Sequence, residues 1–375
     1  MRYALISVAP PFRGGISLQT ALLFNQLSKE HEIVCYNYSR QYPNILFPGK
    51  TQYETGKVSV NIPSHRTIDS VNPISWYKTA KEICQYKADV AVFRFWNPFF
   101  APALGKIARR VKRLESSIKC ISICDNIFPH ESRFFDSSLI RYFLSVMDSH
   151  IIMANSVEQD LKELIVAPKY KCLFHPVQDA SGDPIEKMDA RKKLKISQKH
   201  VILYFGYVRK YKGLDVLIQA TRKLKDKLND FLVLAVGESY EGSEKYEKLI
   251  RENGVKDHFK WINEYVPDEK VNLYFSASDV VALPYHSATQ SGVVPMAYRF
   301  DRPVIVTKVG GLEETVEEGV SGFLIDPGSY NQLADCLFMN LKSGQFRQMT
   351  KTVAVHKNNF SWSKFTDELE LLARS

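Results

Sequence analysis

The sequence lacks several features that mark well-known classes of protein. It has no run of about 18 or more apolar residues, so no transmembrane helix is expected. Its six cysteines include no Cys-x-x-Cys pair, which predicts buried, reduced thiols instead of a zinc site or a disulfide framework. The amino terminus is apolar for too short a stretch to be a signal peptide. Together these absences favour the cytoplasm.

The charge balance narrows the choice of partner. The formal net charge is +9, which suits a nucleic acid, a phosphate-bearing ligand or an anionic membrane. However, the sequence contains no zinc-finger spacing, no RNP-type aromatic motif and no disordered basic tail. Nucleic acid is therefore not expected as a partner. The sequence also has no Asp-x-Asp cluster that would indicate a metal site.

Short apolar runs alternate with helical patterns along the chain, and such alternation predicts parallel α/β sheets. In the first half we predict strands at Tyr3–Val8, Ile33–Tyr36, Asp89–Phe93, Cys120–Cys124 and His150–Met153. In the second half we predict strands at Val201–Phe205, Leu232–Ala235, Phe259–Ile262, Val280–Leu283, Val304–Val306 and Gly322–Leu324. Helices are predicted at Leu18–Lys29 and near residues 76–86, 101–114, 135–147, 156–164 and 186–197.

A polar stretch rich in proline and glycine, residues 175–184, separates the two series and is typical of a linker. The length of 375 residues is also too great for one ordinary core and fits two domains. We therefore predict an α/β protein with two Rossmann-like domains that face each other across a cleft. The domain boundaries are predicted at residues 1–178 and 185–358.

The first motif lies where the second series begins. The run Phe-Gly-Tyr-Val-Arg-Lys-Tyr-Lys-Gly-Leu-Asp, with Gly206, Arg209 and Lys212, follows a strand and opens a helix. Ligands bind at the carboxyl ends of strands in open α/β sheets. A diphosphate there would meet two cations and the amino terminus of the helix. The alternative is a solvated basic loop without a ligand.

This motif resembles the second domain of retaining GT-B glycosyltransferases of family 4, also described as glycosyl transferases group 1. The resemblance implies that Arg209 and Lys212 hold the diphosphate of a nucleotide-sugar donor and stabilise it as it leaves. It also implies that Gly206 lines the donor site. The family often has its arginine directly after the first glycine, where this chain has Tyr207.

A second block resembles the same family. After the strand Val280–Leu283, a small polar loop precedes a helix, and its backbone N–H groups could cradle the distal phosphate and the sugar. The predicted donor-binding residues of this loop are Thr289, Gln290, Ser291, Gly292 and Val293. In the family the nucleobase lies near two further segments, which here contain Glu238 and Tyr265.

The second block departs from the family at one important point. Most members have two glutamates eight residues apart, one for the donor sugar and one for the ribose. This chain has Thr289 near the first position and Met296 near the second, with a one-residue gap in the alignment. Either another group takes over these contacts or the site is impaired. We favour a replacement, because the loop remains rich in hydrogen-bonding groups. Glu314 and Glu318 lie nearby, but they are typical of helix-surface charges.

The first domain offers fewer candidates. Gly14 and Gly15 follow the first strand and would let the backbone approach a donor, unless they form a plain turn. Asp125, Asn126 and His130 follow a strand that would end in the cleft. They are candidate catalytic-site groups that bind sugar hydroxyls or orient the acceptor. The alternative for His130 is a structural role.

The resemblance covers nearly the whole chain and implies a function. Residues 1–178 would form the acceptor-side domain, with a terminal helix at 360–375 crossing back to it, and residues 185–358 would bind the nucleotide sugar. The expected reaction moves a sugar from a UDP- or GDP-sugar to a glycan or lipid-linked acceptor. It would proceed with retention and without metal or cofactor, in cell-surface polysaccharide biosynthesis.

Two other functions stay open. The missing glutamates motivate a non-catalytic partner protein that resembles a glycosyltransferase. A nucleotide-sugar epimerase or a phosphorylase could use the same architecture. The retained cations of the first motif argue against the non-catalytic alternative, because such a protein has no need of a diphosphate site.

A basic helix in the first half predicts a further partner. Aromatic residues at 93–100 precede it, and basic helices beside exposed aromatics suit the anionic inner face of a cell membrane. The cations of this helix are Lys106, Arg109, Arg110, Lys112 and Arg113. The alternative is a solvated helix face with the aromatic residues in the core.

Overall fold

The structure is a computed structural model that describes residues 1–43, 51–54, 60–128, 135–177, 183–239, 242–288 and 290–375. The chain divides into two compact units. Unit 1 comprises Met1–Pro176 together with Ser361–Ser375, and unit 2 comprises Val177–Phe360. Each unit has its own apolar core around its own sheet.

Unit 1 is built on a seven-stranded parallel sheet. Its strands are β1 (Arg2–Ile6), β2 (Glu32–Arg40), β3 (His65–Asp69), β4 (Val90–Phe95), β5 (Lys119–Cys124), β6 (Ser149–Ile152) and β7 (Tyr170–Cys172). They lie in the order β3-β2-β1-β4-β5-β6-β7. Every residue of β4 is buried, and its side chains join two apolar clusters in alternation, so both faces of the sheet are covered.

Helices pack on both sides of this sheet. They are α1 (Gly15–Leu27), α2 (Pro73–Gln85), α3 (Ala101–Leu114), α4 (Asp136–Leu144), α5 (Ser156–Leu164) and α14 (Trp362–Arg374). Asn72 caps α2, because its side chain accepts a hydrogen bond from the N–H of Ile74 at 3.0 Å. Helix α14 packs on α1 and contributes Leu369 to the core of unit 1.

Unit 2 is built on a six-stranded parallel sheet. Its strands are β8 (His200–Phe205), β9 (Phe231–Val236), β10 (Phe259–Ile262), β11 (Val280–Leu283), β12 (Val304–Thr307) and β13 (Gly322–Ile325). Its helices are α6 (Lys187–Leu194), α7 (Leu214–Lys225), α8 (Glu244–Glu252), α9 (Asp268–Ala277), α10 (Val293–Arg299), α11 (Gly311–Glu314), α12 (Tyr330–Ser343) and α13 (Gln345–His356).

The strand order of unit 2 reverses at one place. The order is β10-β9-β8-β11-β12-β13, so the chain builds outward from β8 in one direction and from β11 in the other. Loops that follow the two strands at such a switch point diverge and leave a crevice, where open α/β sheets bind ligands. The loop after β8 carries Arg209 and Lys212, and the loop after β11 carries residues 290–292.

The predicted α/β fold with two Rossmann-like domains is confirmed. The sequence patterns missed strands β3 and β7. Helix α1 begins at Gly15, three residues earlier than predicted, because Gly14 adopts a φ of 112° and starts the helix there. Strand β2 extends to Arg40, four residues beyond the predicted Tyr36.

Candidate functional site

The switch point of unit 2 is closed by glycines that let three strand ends approach one another. Gly213 has a φ of 66°, and a Cβ there would lie 1.8 Å from the carbonyl oxygen of Pro284, after β11. A Cβ on Gly237, after β9, would lie 1.9 Å from the carbonyl oxygen of Gly206. Only glycine fits at both positions. The loops after β8, β9 and β11 are therefore drawn together.

Lys212 is a cation at this point of convergence. Its Nζ lies 5.6 Å from the centroid of the Tyr285 ring and 3.2 Å from the place that a Cβ on Gly206 would take. Burial of the ammonium, reinforced by the charge of Arg209, lowers the pKa of Lys212 to about 8. No carboxylate in the described part of the chain forms an ion pair with Lys212. The switch point therefore holds positive charge without a paired carboxylate at Lys212.

The loop after β11 reaches the same place. Cγ2 of Val293 lies 3.7 Å from the position of a Cβ on Gly206. The N–H of Val293 donates a hydrogen bond to Oγ of Ser291 at 3.2 Å, and this Oγ lies 3.4 Å from the hydroxyl of Tyr285. Because Tyr285 also contacts Lys212, its side chain links the two predicted donor loops.

A small cavity lies at the carboxyl ends of β8, β9 and β10. Its volume is about 80 Å³, and its walls include Tyr207, Glu238 and Tyr265. The rings of Tyr207 and Tyr265 stack, with centroids 6.3 Å apart and planes inclined by 24°. The predicted base-binding residues are thus grouped at one edge of the sheet, beside Gly206.

The positions that replace the family's glutamates offer no carboxylate in the described structure. Met296 is half-buried on α10, and Thr289 lies outside the described residues. Gln290 and Gly292 are half-buried in the loop before α10. Glu314 is half-buried and Glu318 is exposed. The roles of these residues toward a donor stay predictions.

Unit 1 also holds a buried cation, but a carboxylate neutralises it. Arg94, on β4, donates two hydrogen bonds to Asp125, from Nε at 2.8 Å and from Nη2 at 2.6 Å. The same guanidinium donates to the side-chain oxygen of Gln19 on α1. Asp125 was predicted to bind a sugar hydroxyl, yet its carboxylate is already engaged by Arg94. Its role toward a sugar stays a prediction.

His175 lies beside this pair. Its Nε2 is 3.7 Å from Oδ1 of Asp125, and its side chain is 10% exposed. Burial lowers the pKa of His175 to about 4, so the ring is neutral at pH 7. Nδ1 of His175 has no hydrogen-bond partner within the described structure. His175 therefore packs as a neutral ring against the buried ion pair.

Of the other predicted residues of unit 1, the structure describes Gly14, Gly15 and Asn126. Gly14 and Gly15 begin α1, and a Cβ on either would meet no atom within 4 Å, so neither is required by close packing. Asn126 is half-buried directly after β5. His130 lies outside the described residues.

The predicted basic helix is α3, and of the two possibilities left open by the sequence, the aromatic residues follow the one that places them in the core. Phe93, Phe95 and Phe100 are buried and not exposed beside the helix. They are apolar side chains of β4 and of the turn before α3, which face the inside of unit 1. Lys112 pairs with Asp148 at 2.6 Å, and Arg109 lies 3.8 Å above the Tyr142 ring. Both cations are turned toward the body of unit 1.

Among the described residues, one group of side chains could hold a metal ion. Glu30, His31 and Glu370 offer ligand atoms within 4.8 Å of one another, where α1 meets α14. Nε2 of His31 already bonds to Glu370 at 2.7 Å, and Arg374 also contacts Glu370. This group belongs to unit 1, whereas the converging loops belong to unit 2. The search of the described helices found none long and apolar enough to cross a membrane.

The fold defines the structural class of the chain, which is GT-B. Two parallel-sheet, Rossmann-like domains are the architecture of GT-B proteins. Over the whole chain the structure is similar to sucrose-phosphate synthase from Thermosynechococcus elongatus, with a TM-score of 0.76, 17% identity and coverage of 98% of that chain. It is similarly close to Anabaena HepE in complex with UDP, with a TM-score of 0.74, 16% identity and full coverage of both chains.

A family match falls on the sequence of unit 2. Residues 186–354 match the family described as glycosyl transferases group 1, and they make up less than half of the chain. The match supports the resemblance of the sequence motifs within unit 2.

Curated relatives agree with this family. The chain is 32% identical over 188 residues to a D-inositol 3-phosphate glycosyltransferase of Corynebacterium aurimucosum, covering 48% of this chain and 44% of the relative. It is 33% identical over 184 residues to the same-named protein of Corynebacterium urealyticum, covering 47% and 43%. The chain thus spans less than half the length of these two curated relatives.

Sequence reasoning missed several residues that shape the two sites. Arg94 carried a signal, because it is the one charged residue in the otherwise apolar run of β4. Tyr285 lies two residues beyond the predicted strand Val280–Leu283, but its contacts with Lys212 and Ser291 depend on how two distant loops fold. His175 fell in the predicted linker, where nothing in the sequence marks its proximity to Asp125.

Proposed function

We propose that the protein is a glycosyltransferase that uses a UDP- or GDP-sugar as donor. The acceptor would be a glycan or a lipid-linked sugar, in cell-surface polysaccharide biosynthesis. We further propose that the reaction retains the anomeric configuration and needs neither a metal ion nor a cofactor. The protein would act in the cytoplasm, at the inner face of the cell membrane, where lipid-linked acceptors lie.

One observation carries the proposal. Lys212 is a desolvated ammonium next to a second cation, Arg209, and no described carboxylate pairs with it. A desolvated ammonium without a paired carboxylate is unfavourable, and the neighbouring charge of Arg209 adds to that cost, unless a ligand supplies negative charge at Lys212. A diphosphate supplies that charge, and charge-assisted hydrogen bonds to it are among the strongest in proteins.

The neighbouring cavity fits the base end of the same ligand. Tyr207 and Tyr265 stack beside Gly206, which precedes the loop that holds Lys212. An aromatic ring offers a flat apolar surface on which a nucleobase can stack. A nucleotide whose base contacts this cavity would therefore place its phosphates toward Lys212. HepE, a structural neighbour of the same fold, was solved in complex with UDP, which supports a nucleotide as the ligand.

The chemistry proposed for these residues is electrostatic. When the bond between the sugar and the diphosphate breaks, negative charge grows on the leaving phosphate and positive charge grows on the sugar. Lys212 and Arg209 are fixed near the proposed phosphate position before the reaction begins, so they stabilise the leaving group without reorganisation. Ser291, Gln290 and Gly292 would bind the distal phosphate and the sugar hydroxyls in place of the missing glutamates.

The proposal is tested by following release of UDP or GDP from a panel of donor sugars. Purified protein is incubated with membrane lipid extract or oligosaccharide acceptors, with and without EDTA. We expect release from donors of one nucleobase, unchanged by EDTA, and an anomeric product that retains the donor's configuration. Lys212→Ala should abolish release, whereas Lys210→Ala should not, since Lys210 is an exposed cation of the same loop.

The same assay separates the non-catalytic alternative. Tight binding of a nucleoside diphosphate without release from any donor would show a partner protein that keeps the site and has lost the reaction. Inversion of configuration, or loss of release with EDTA, would overturn the corresponding part of the proposal and leave the donor site intact.

A further inference from the structure

The edge of unit 1 formed by α2 and α3 exposes a group of apolar side chains. Val71, Ile74 and Tyr77 are 45%, 78% and 43% exposed. Ile74 and Tyr77 are three residues apart on α2 and so lie on one face of the helix. Single exposed apolar residues are common on soluble proteins. A cluster on adjacent turns of one helix is less usual and indicates a surface that meets an apolar partner.

Cations surround this apolar group. Nζ of Lys106 and Cζ of Arg110, both on the neighbouring α3, lie 5.4 Å and 5.6 Å from the centroid of the Tyr77 ring. Lys78 and Lys81 follow on the exposed side of α2. Two described carboxylates lie near this group: Glu82 is 3.9 Å from Lys78, and Asp69, which accepts a hydrogen bond from the N–H of Val71 at 3.1 Å, is already paired with Arg40. The surface therefore combines apolar and strongly positive character.

The structure thus places the basic surface differently from the sequence pattern. Arg109 and Lys112, two of the five predicted cations, are held by Tyr142 and Asp148. Lys106 and Arg110, two other predicted cations of α3, contact the ring of Tyr77 on the neighbouring helix α2. The basic surface predicted from the sequence did not include α2. This surface, the α2–α3 edge, comprises Val71, Ile74, Tyr77, Lys78, Lys81, Lys106 and Arg110.

We propose that the α2–α3 edge docks on the surface of an anionic lipid bilayer. Ile74 and Val71 would enter the boundary between headgroups and acyl chains, with the amphipathic ring of Tyr77 at the headgroup level. The lysines and arginine would contact the headgroup phosphates. This inference rests on the proposed function, because it brings the enzyme to the membrane that holds a lipid-linked acceptor.

Charge favours a bilayer over other occupants. A second copy of the chain related by a two-fold axis would place these cations opposite the same cations, and like charges repel. A nucleic acid offers phosphates but no hydrocarbon for Ile74, the most exposed side chain of the group. An anionic bilayer offers both the charge and the apolar layer.

The test is flotation of the purified protein with vesicles of phosphatidylcholine alone or mixed with phosphatidylglycerol. We expect binding to the mixed vesicles alone, weakened by added salt. Ile74→Asp should lower the affinity by about tenfold, because it removes the inserted side chain. Lys81→Ala should lower it by about fivefold, in line with the usual contribution of one cation near a membrane.

Two variants serve as matched controls. Val166→Asp changes an apolar side chain that is 96% exposed elsewhere in unit 1, and Lys192→Ala removes an exposed lysine of unit 2. Both should bind vesicles like the unchanged protein. Equal binding to neutral vesicles, or equal loss in the controls, would overturn the proposal. So would a change of oligomeric state in Ile74→Asp, measured by light scattering.

Nucleotide binding in the same samples separates this inference from the proposed function. If Ile74→Asp still binds UDP or GDP but the unchanged protein ignores the mixed vesicles, the docking surface is wrong and the donor site stands. If vesicle binding behaves as expected but no nucleotide binds, the proposed function is wrong and the docking surface stands.

Discussion

The two units each place a cation at the carboxyl side of a parallel sheet, and they treat it in opposite ways. In unit 1, Arg94 is 2% exposed and shares two hydrogen bonds with Asp125. In unit 2, Lys212 is desolvated beside Arg209, with no carboxylate paired to it in the described residues. The first charge is neutralised within the protein, whereas the second has no paired carboxylate among the described residues.

This difference distinguishes a structural ion pair in unit 1 from the proposed ligand site in unit 2. Removing one partner of a buried pair leaves the other charge without compensation and destabilises the fold. Removing a desolvated cation that has no paired carboxylate relieves a cost of the ligand-free protein and harms its binding. The same kind of substitution should therefore have effects of opposite sign in the two units.

The largest expected effect is in unit 1. Asp125→Ala leaves the Arg94 guanidinium buried without its carboxylate, which should lower the free energy of unfolding by about 3–5 kcal/mol. The measurement is urea unfolding followed by circular dichroism. As a control, Asp226→Ala breaks an exposed pair with Arg222 on α7 and should cost less than about 1 kcal/mol. If both variants lost the same free energy of unfolding, the Arg94–Asp125 pair would have no special structural role.

In unit 2, removing the cation should change the free energy of unfolding in the opposite direction. Lys212→Met removes a desolvated charge and should raise the stability of the ligand-free protein by about 1–3 kcal/mol at pH 7. Because the pKa of Lys212 is lowered by folding, to about 8, the cost of its charge is fully present below pH 8. This cost disappears as the pH rises above 8 toward the pKa that Lys212 has in the unfolded chain. The stability gain of Lys212→Met should therefore shrink above pH 8, as thermal unfolding at several pH values would show.

The affinity for a nucleoside diphosphate should depend on pH through the same group. A bound diphosphate favours the charged ammonium, so binding above pH 8 requires uptake of a proton. We expect the dissociation constant to rise about tenfold between pH 7 and pH 9. Lys212→Arg stays charged throughout this range and should flatten the profile. A profile that is the same for both proteins would exclude Lys212 from the diphosphate site.

The smallest expected effect concerns the base. Tyr265→Ala removes one ring of the stacked pair and should weaken nucleotide binding by about 1 kcal/mol, or roughly fivefold. Inorganic pyrophosphate, which has no base, should bind to this variant as it does to the unchanged protein. An equal loss of affinity for the nucleotide and for pyrophosphate would show that Tyr265 stabilises the loops and does not contact the base. Calorimetric titration measures both affinities.

The sequence predicted the architecture because buried parallel strands are short apolar runs bounded by turns. The two missed strands lack that pattern: β3 reads His-Arg-Thr-Ile-Asp at an edge of the sheet, and β7 has only three residues. Edge strands are half-solvated, so their sequences need not be apolar. Their positions follow from pairing with β2 and β6, which no local pattern encodes.

The candidate site was predictable in part for a similar reason. Arg209 and Lys212 sit in one continuous strand–loop–helix segment, whose motif is visible in the sequence. The contacts of Lys212 with Tyr285, and of Arg94 with Asp125 and Gln19, join residues that are far apart along the chain. Only the folded structure shows that Arg94 is paired with a carboxylate, whereas Lys212 is paired with none in the described part of the chain.

The most direct test of this contrast is calorimetric titration of UDP and GDP into the unchanged protein, Lys212→Ala and Lys210→Ala. The account predicts that one of the two nucleotides binds to the unchanged protein and to Lys210→Ala, and that Lys212→Ala loses at least about tenfold in affinity. Binding that is undiminished in Lys212→Ala, or absent from the unchanged protein, would contradict the claim that this cation awaits a diphosphate.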